Sequence, residues 1–206
     1  MVWCNDRNLL FVHIPKCGGS SIENKLNLQQ PKHGFRILKP KKDIVKAMHH
    51  YTLSEYQNFF DKNKFNNFNK FTIVRHPYNK FISEYYYFKR KKKGVLKDTS
   101  LEDFLIYTEN LHSQHFNNIE YNLYNDHFFS QSHFLKIDGK IHNLHIFKLE
   151  EFDKIKEFIN VNYPNDKKWK HLDKNTIKKK EELNEDQKKR VYKLYYEDFE
   201  NFKYQQ

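Results

Sequence analysis

The chain contains few of the residues that cross-link or interrupt a fold. Among 206 residues there are 2 cysteines, 5 glycines and 5 prolines. With only Cys4 and Cys17, disulfide stapling is not expected, and a reducing cytoplasm is the expected compartment. No stretch rich in proline, glycine or serine separates two parts of the chain, so we expect residues 1–206 to form a single domain.

Long hydrophobic runs are also missing. No apolar run reaches the ~18 residues that a transmembrane helix needs. Asp6, Arg7 and Asn8 precede the first short apolar run, which is unlike a signal peptide and better suited to a strand. We therefore expect no membrane anchor, a cytoplasmic location and a microbial or viral host.

Acidic residues are outnumbered by basic ones. The chain has 37 Lys and Arg against 26 Asp and Glu, a formal net charge of +11. This excess favours an acidic partner, and the run Lys89–Lys93 is a candidate for binding a phosphate or an anionic chain. A basic nucleic-acid-binding protein is one function that such a composition permits.

The first informative segment joins an apolar run to a glycine pair. The run Leu9–Ile14 predicts a buried strand, Gly18 and Gly19 permit a tight turn, and a helix is predicted at Ser20–Leu28, with Ser20 or Ser21 as its cap. The amides and dipole of that helix start, the serine hydroxyls and the Lys16 ammonium together indicate a site for one phosphate. The lysine precedes the glycines, which differs from a Walker A loop and disfavours a P-loop phosphotransferase.

The second informative segment repeats the strand, turn and helix order. The run Phe71–Val74 predicts a strand, Pro77 breaks it, and helical spacing follows over Asn79–Lys89. Arg75 then lies at the carboxyl end of the strand and Ser83 in an early turn of the helix. A guanidinium and a hydroxyl placed in this way are suited to a second phosphate.

A histidine pair lies between these two segments. His49 and His50 come just before Thr52 and Glu55, which have the spacing of a capping box at a helix start. Both histidines are therefore predicted in a loop. Either has a pKa range suited to a general base, and the residues alone do not choose between them.

These segments resemble those of a known family. Ile14 to Ser21, read Ile-Pro-Lys-Cys-Gly-Gly-Ser-Ser, resembles the 5'-phosphosulfate loop of the carbohydrate sulfotransferases, including the heparan sulfate 2-O and 6-O enzymes. Val74–Tyr85 is similar to their 3'-phosphate motif. Three weaker similarities follow in order, at Asp126–Gln131, Phe147–Phe152 and Leu194–Tyr204.

The resemblance implies a donor and a set of site residues. The implied donor is 3'-phosphoadenosine 5'-phosphosulfate (PAPS). The implied acceptor carries a hydroxyl group and is expected to be a glycan, either neutral or acidic. The histidine of the family pattern matches His50, which becomes the expected base, and Lys16 is expected to stabilise the leaving oxygen. No metal and no nucleic acid is expected in this scheme. The residues implied to bind the donor are Lys16, Cys17, Gly18, Gly19, Ser20, Ser21, Arg75 and Ser83.

One departure from the family pattern concerns the first loop. Cys17 stands where the family usually has threonine. A thiol is a weaker hydrogen-bond donor than a hydroxyl, so a side-chain contact of that threonine is weakened here, whereas the backbone of the loop is unaffected.

The alternation of strands and helices predicts the fold class. We expect an α/β three-layer sandwich with a small parallel sheet and a helix-rich C-terminal half. The resemblance to the carbohydrate sulfotransferases implies that this sandwich is P-loop-like. The remaining predicted elements are helices at Thr52–Phe59, Ser100–Asn110, Asn117–Phe128, Glu151–Val161 and Asn184–Phe202, and a strand near His145–Lys148.

Overall fold

The computed structural model describes residues 3–28, 48–91, 98–113, 125–169 and 181–206. The chain is divided into two compact units, Met1–Arg75 with Tyr121–Asp173 and His76–Glu120 with Lys174–Gln206. The strands are β1 (Trp3–Cys4), β2 (Leu9–Val12), β3 (Asn69–Val74), β4 (Lys136–Ile137), β5 (Lys140–Ile141) and β6 (His145–Lys148). The α-helices are α1 (Gly19–Leu26), α2 (Leu53–Phe59), α3 (Lys62–Asn67), α4 (Pro77–Lys91), α5 (Leu101–Ser113), α6 (Gln131–Leu135), α7 (Phe152–Asn162), α8 (Glu185–Leu194) and α9 (Tyr196–Phe202).

The first unit contains a four-stranded sheet in the order β1-β2-β3-β6. β1 pairs antiparallel with β2, whereas β2, β3 and β6 are parallel, with Phe11 opposite Phe71 and Phe71 opposite His145. Since parallel strands end at the same edge, the segments after β2, β3 and β6 all start there. In open α/β sheets this is the edge where ligands bind.

The two central strands, β2 and β3, are buried in the fold. All four residues of β2 are buried, and in β3 only Asn69 is exposed. The rings of Phe11 and Phe71 lie with their centroids 4.8 Å apart across the two strands. Nearly continuous burial of this kind is typical of parallel strands that are covered on both faces.

The second unit is helical and packs through one aromatic stripe. α4 begins at Pro77, a residue suited to the first helical position because it lacks an amide hydrogen. Phe81, Tyr85 and Phe88 recur on one face of α4, and their ring centroids lie 5.2, 5.7 and 6.0 Å from that of Phe104 on α5. The stripe therefore holds α4 against α5.

Charged side chains join two further helices of this unit. The Arg190 guanidinium on α8 donates hydrogen bonds to Glu102 and Glu109 on α5. A hydrogen bond from Gln187, together with the bond from Arg190, holds the pKa of Glu102 below its ordinary value. The pairs are partly exposed, so they orient α8 against α5 more than they stabilise the fold.

The structure confirms the predicted α/β class, with a small parallel sheet and a helix-rich C-terminal half, and is consistent with three layers. The predicted strand at His145–Lys148 matches β6. The hairpin of β4 and β5 and the short helices α3 and α6 were not predicted, and they are too short to show a periodicity. No helix among the described residues is long and apolar enough to span a bilayer.

The predicted single helix at Asn184–Phe202 is wrong. Tyr195 has φ −118° and ψ 27°, which ends α8 and separates it from α9. The apolar stripe continues across the break, since Val191, Tyr195 and Phe199 are all buried. Neither proline nor glycine marks the break, so the sequence carried no signal for it.

Two predictions fall partly outside the described residues. The predicted helix Asn117–Phe128 is described only at Asn125–Phe128, which is a 3₁₀ turn. In the basic run, Lys89 is described, and its ammonium donates to the Tyr85 hydroxyl at 2.8 Å. The rest of the run beyond Arg90, from the side chain of residue 91 to residue 97, is not among the residues that the structure describes.

Candidate active site

The loop between β2 and α1 makes a tight turn. Lys16 and Gly18 have φ of 61° and 82°, both in the left-handed region. Glycine adopts this conformation without strain, whereas a lysine does so at a cost of order 1 kcal/mol or more. The Cys17 amide donates to the Ile14 carbonyl at 3.3 Å and closes the turn. As a result Lys16 is only half-buried, while the Cys17 side chain is buried.

Gly19 allows the loop to lie directly on an imidazole ring. A Cβ at Gly19 would overlap the His13 ring. His13 is buried, and its Nδ1 pairs with Oε1 of Glu23, which is also buried on α1. The paired side chains of His13 and Glu23 thus pack against the first turn of α1.

The start of α1 differs from the predicted cap. Gly18 is the N-cap, and Ser20 and Ser21 lie inside the first turn of the helix. The prediction that a serine caps α1 is therefore wrong, because the glycine pair completes the turn one residue earlier. Of the first-turn amides of α1, that of Ser21 donates to the Gly18 carbonyl at 3.1 Å, whereas those of Gly19 and Ser20 precede the first bonds within the helix.

Arg75 joins this loop to the end of β3. It follows Val74 directly, and its Nη1 donates to the carbonyl oxygen of Lys16 at 3.2 Å. The structure therefore brings together the two segments for which the sequence indicated separate phosphate sites. Ser83, the other residue of the second segment, is buried on α4 in the second unit.

A buried glutamine connects the same two segments. Oε1 of Gln131 accepts from the Arg75 amide at 2.7 Å, and its Nε2 donates to the Arg75 carbonyl at 2.8 Å. The Cys17 thiol also donates to Oε1, at 3.2 Å. The side chain of Cys17 is thus directed at Gln131.

His50 lies where the sequence predicts it, just before α2. The capping box is present, since Thr52 Oγ1 accepts from the Glu55 amide at 3.2 Å and Glu55 Oε2 accepts from the Thr52 amide at 2.7 Å. The box fixes the start of α2 and with it the 3₁₀ turn that carries His50. Nδ1 of His50 lies 2.5 Å from Oδ2 of Asp126, and both side chains are buried.

Three further imidazoles surround His50. Its ring centroid lies 4.0 Å from that of His49, 5.1 Å from His13 and 5.3 Å from His127. Burial, followed by the neighbouring histidines, lowers the pKa of His50 well below its ordinary value. The same causes lower the pKa of His49 to about 4. Both rings are therefore neutral at pH 7, and a neutral imidazole can accept a proton.

The cluster also has the donor atoms of a metal site. His50, Asp126 and His127 each offer one atom, and these atoms lie within 4.8 Å of one another. However, His50 and Asp126 direct two of the polar atoms at each other. A hydrogen bond of this kind fixes the orientation of an imidazole and leaves its other nitrogen to accept a proton.

Sequence reasoning missed the buried partners of the site. Neither Glu23 nor His13 was predicted to lie in the site. Asp126, His127 and Gln131 belonged to a weak motif and were given no role in the reaction. These side chains meet through tertiary contacts, and a residue 76 positions from its partner, such as Asp126 from His50, leaves no local pattern.

The comparison with protein families agrees with this geometry. The model of the sulfotransferase family matches residues 1–205. Searches of curated proteins and of solved structures return no match. The family match extends over both strand-end segments and over the segment that carries Asp126 and Gln131. The chain therefore belongs to the sulfotransferase family, whose members transfer sulfuryl groups.

Proposed function

We propose that this protein transfers the sulfuryl group of PAPS to a hydroxyl of an acceptor, with His50 as the general base. The observation that carries the proposal is the contact between Arg75 Nη1 and the Lys16 carbonyl. It joins the two proposed anion-binding segments, which the parallel pairing of β2 and β3 places at one sheet edge, as a donor with phosphates at two positions requires. The family match over residues 1–205 also supports one sulfotransferase domain.

The first segment fits the 5'-phosphosulfate. Gly18 and Gly19 keep the turn narrow, since a Cβ at Gly18 would come 2.9 Å from Leu149 Cδ1. The amides of residues 18–20, the serine hydroxyls and the Lys16 ammonium provide donors of the kind that phosphate binds. The Cys17 thiol donates to Gln131 and the Cys17 amide donates to the Ile14 carbonyl, so we assign Cys17 to the shape of the loop rather than to a contact with the phosphate.

The second segment fits the 3'-phosphate. A guanidinium carries five N–H groups in a planar fork, so the bond from Arg75 to the Lys16 carbonyl leaves donors for a phosphate. The assignment of Ser83 to the same phosphate depends on the sequence motif. Lys80 is not assigned to it, because its ammonium is buried and lies 3.3 Å from Glu84 Oε1.

The residues around the transferred group divide the chemistry among them. PAPS, when bound, supplies a sulfuryl group with adenosine 3',5'-bisphosphate (PAP) as its leaving group. Nε2 of His50 accepts the proton of the acceptor hydroxyl as its oxygen bonds to sulfur and the bond from sulfur to the 5'-phosphate oxygen breaks. The Lys16 ammonium stabilises the charge that grows on this phosphate oxygen.

The acceptor is proposed to be a carbohydrate hydroxyl. The net charge of +11 favours an acidic glycan among the carbohydrates. The Cys17 thiol must stay reduced to donate to Gln131, which is in keeping with a reducing cytoplasm. The proposed reaction involves no metal.

Radiolabelled PAPS and a panel of neutral glycans, acidic glycans and small alcohols test this function. We expect label in at least one glycan, and His50→Ala should reduce transfer to a small residual rate while affinity for PAP is kept. Turnover near the wild-type rate in that variant would remove His50 from the role of base. If DNA displaces the protein from immobilised PAP at moderate salt, or PAP fails to retain it, the nucleic-acid-binding alternative is favoured instead.

A further inference from the structure

Gln131 is a buried polar side chain that the proposed reaction does not use. Its exposed fraction is 0%. It is the first residue of α6, and Ser130 caps this helix by accepting from the His133 amide at 3.1 Å. The cap fixes the backbone at Gln131 and so limits where its amide group can lie.

The side-chain amide of Gln131 makes the two backbone hydrogen bonds that a neighbouring strand would make. It accepts from the amide and donates to the carbonyl of one residue, Arg75, at 2.7 and 2.8 Å. Adjacent strands exchange the same pair of bonds. Arg75 lies just past the end of β3, so Gln131 extends the ordered backbone to the residue that carries the guanidinium.

These bonds form part of a closed cycle between the two segments. Gln131 holds the backbone of Arg75, Arg75 donates to the carbonyl of Lys16, and the next residue, Cys17, donates back to Gln131. The cycle contains residues far apart in the sequence, since Cys17 and Gln131 are separated by 114 positions. A shift of either segment would break at least one of its bonds.

We infer that Gln131 is a positioning residue that fixes the separation of the two anion-binding segments and so couples the two phosphate sites. The inference rests on the proposed donor. A ligand with both phosphates needs both segments at one separation, whereas a ligand with the 5'-phosphate alone needs only the first segment. Loss of Gln131 should therefore weaken two-phosphate ligands selectively.

Calorimetric titration of PAP and of adenosine 5'-monophosphate tests this coupling. In wild-type protein PAP should bind more tightly than the monophosphate. In Gln131→Met, which keeps the length of the side chain without its hydrogen bonds, PAP affinity should fall by about tenfold, while monophosphate affinity changes by less than about twofold. In transfer assays the same variant should raise KM for PAPS more than it lowers kcat.

Gln187→Met is the matched control. Gln187 is also buried, and its amide group bonds to Glu102 at 2.8 Å and to the Asn184 backbone at 3.2 Å, but it lies in the second unit. This variant should lose stability without changing the ratio of the two affinities. Cys17→Ala removes one bond of the cycle and should change the ratio in the same direction by less, which keeps the test available if Gln131→Met does not fold.

The possible failures are distinguishable. If wild-type protein binds PAP no better than the monophosphate, the proposed donor site is wrong and the inference is wrong with it. If wild-type protein shows the preference but folded Gln131→Met or Cys17→Ala keeps the same ratio, the donor site stands and the coupling role of Gln131 is overturned.

Discussion

The imidazole of His50 and the carboxylate of Asp126 form a buried pair, with Nδ1 and Oδ2 2.5 Å apart. An ionised carboxylate accepts only, so it holds the proton on Nδ1 and leaves Nε2 as the acceptor. Asp126→Asn permits the opposite tautomer. We expect kcat to fall by about 10²-fold or more while affinity for PAP is unchanged, as steady-state kinetics and calorimetry would measure.

The double variant provides the control for this prediction. If Asp126 acts through His50, then adding Asp126→Asn to His50→Ala should cost little further activity, because residues that act as a unit are not additive. Wild-type kcat in folded Asp126→Asn would contradict the pairing, and so would independent losses in the double variant.

The buried setting of His50 predicts a particular pH profile. Its pKa lies well below the ordinary value of 6.5, because burial and the nearby imidazoles disfavour the charged form. A lowered pKa keeps His50 in its basic form at acidic pH. The acid limb of kcat/KM should therefore fall below pH 6.5. A limb at or above this value would contradict His50 as the base, provided that the protein remains folded there.

The histidine cluster should also affect stability. The pKa of His49 falls from 6.5 to about 4 on folding, so between these values the unfolded chain binds more protons than the folded one. The free energy of unfolding should then decrease as pH falls, by up to about 1.4 kcal/mol per pH unit for this group. Urea titrations at pH values across this window measure the slope. His49→Gln should reduce it, and an unchanged slope would exclude His49 as a contributor.

Local sequence patterns predicted the site residues whose positions depend on one strand end or one helix start. Lys16 and Arg75 follow apolar runs that became β2 and β3, and parallel pairing placed both at one edge. His50 was located through its capping box, which depends on residues only three positions apart. Asp126 and Gln131 were not assigned roles, because their partners are 76 and 56 positions away and only the folded chain brings them together.

Arg75 should contribute to donor affinity more than to turnover. Its guanidinium is held beside the first segment by the Lys16 carbonyl, and its charge is suited to a phosphate. We expect Arg75→Ala to weaken PAP binding by roughly 10-fold to 100-fold, the loss expected for hydrogen bonds to a charged group. Calorimetry with PAP measures this loss.

Arg7→Ala is a suitable control for that variant. Arg7 lies in the same unit, and its Nη2 donates to the Leu26 carbonyl at 2.5 Å, as Arg75 donates to Lys16. It belongs to no proposed phosphate site, so its loss should lower stability and leave PAP affinity unchanged. Equal losses of affinity in the two variants would indicate a general effect of removing an arginine and would contradict the assignment of Arg75.

The contact between Gly19 and His13 makes a prediction about stability that does not depend on the ligand. A Cβ at residue 19 would overlap the His13 ring, so Gly19→Ala should destabilise the fold by about 1–3 kcal/mol, as overpacking typically does. In a His13→Ala background the ring is gone, and the same glycine substitution should cost much less.

Gly139→Ala is the matched control, because a Cβ there meets nothing within 4 Å and its cost comes only from the positive φ of 77°. Gly139→Ala should lower the free energy of unfolding equally in the wild-type and His13→Ala backgrounds. If Gly19→Ala also has the same cost in both backgrounds, the His13 ring does not support the loop.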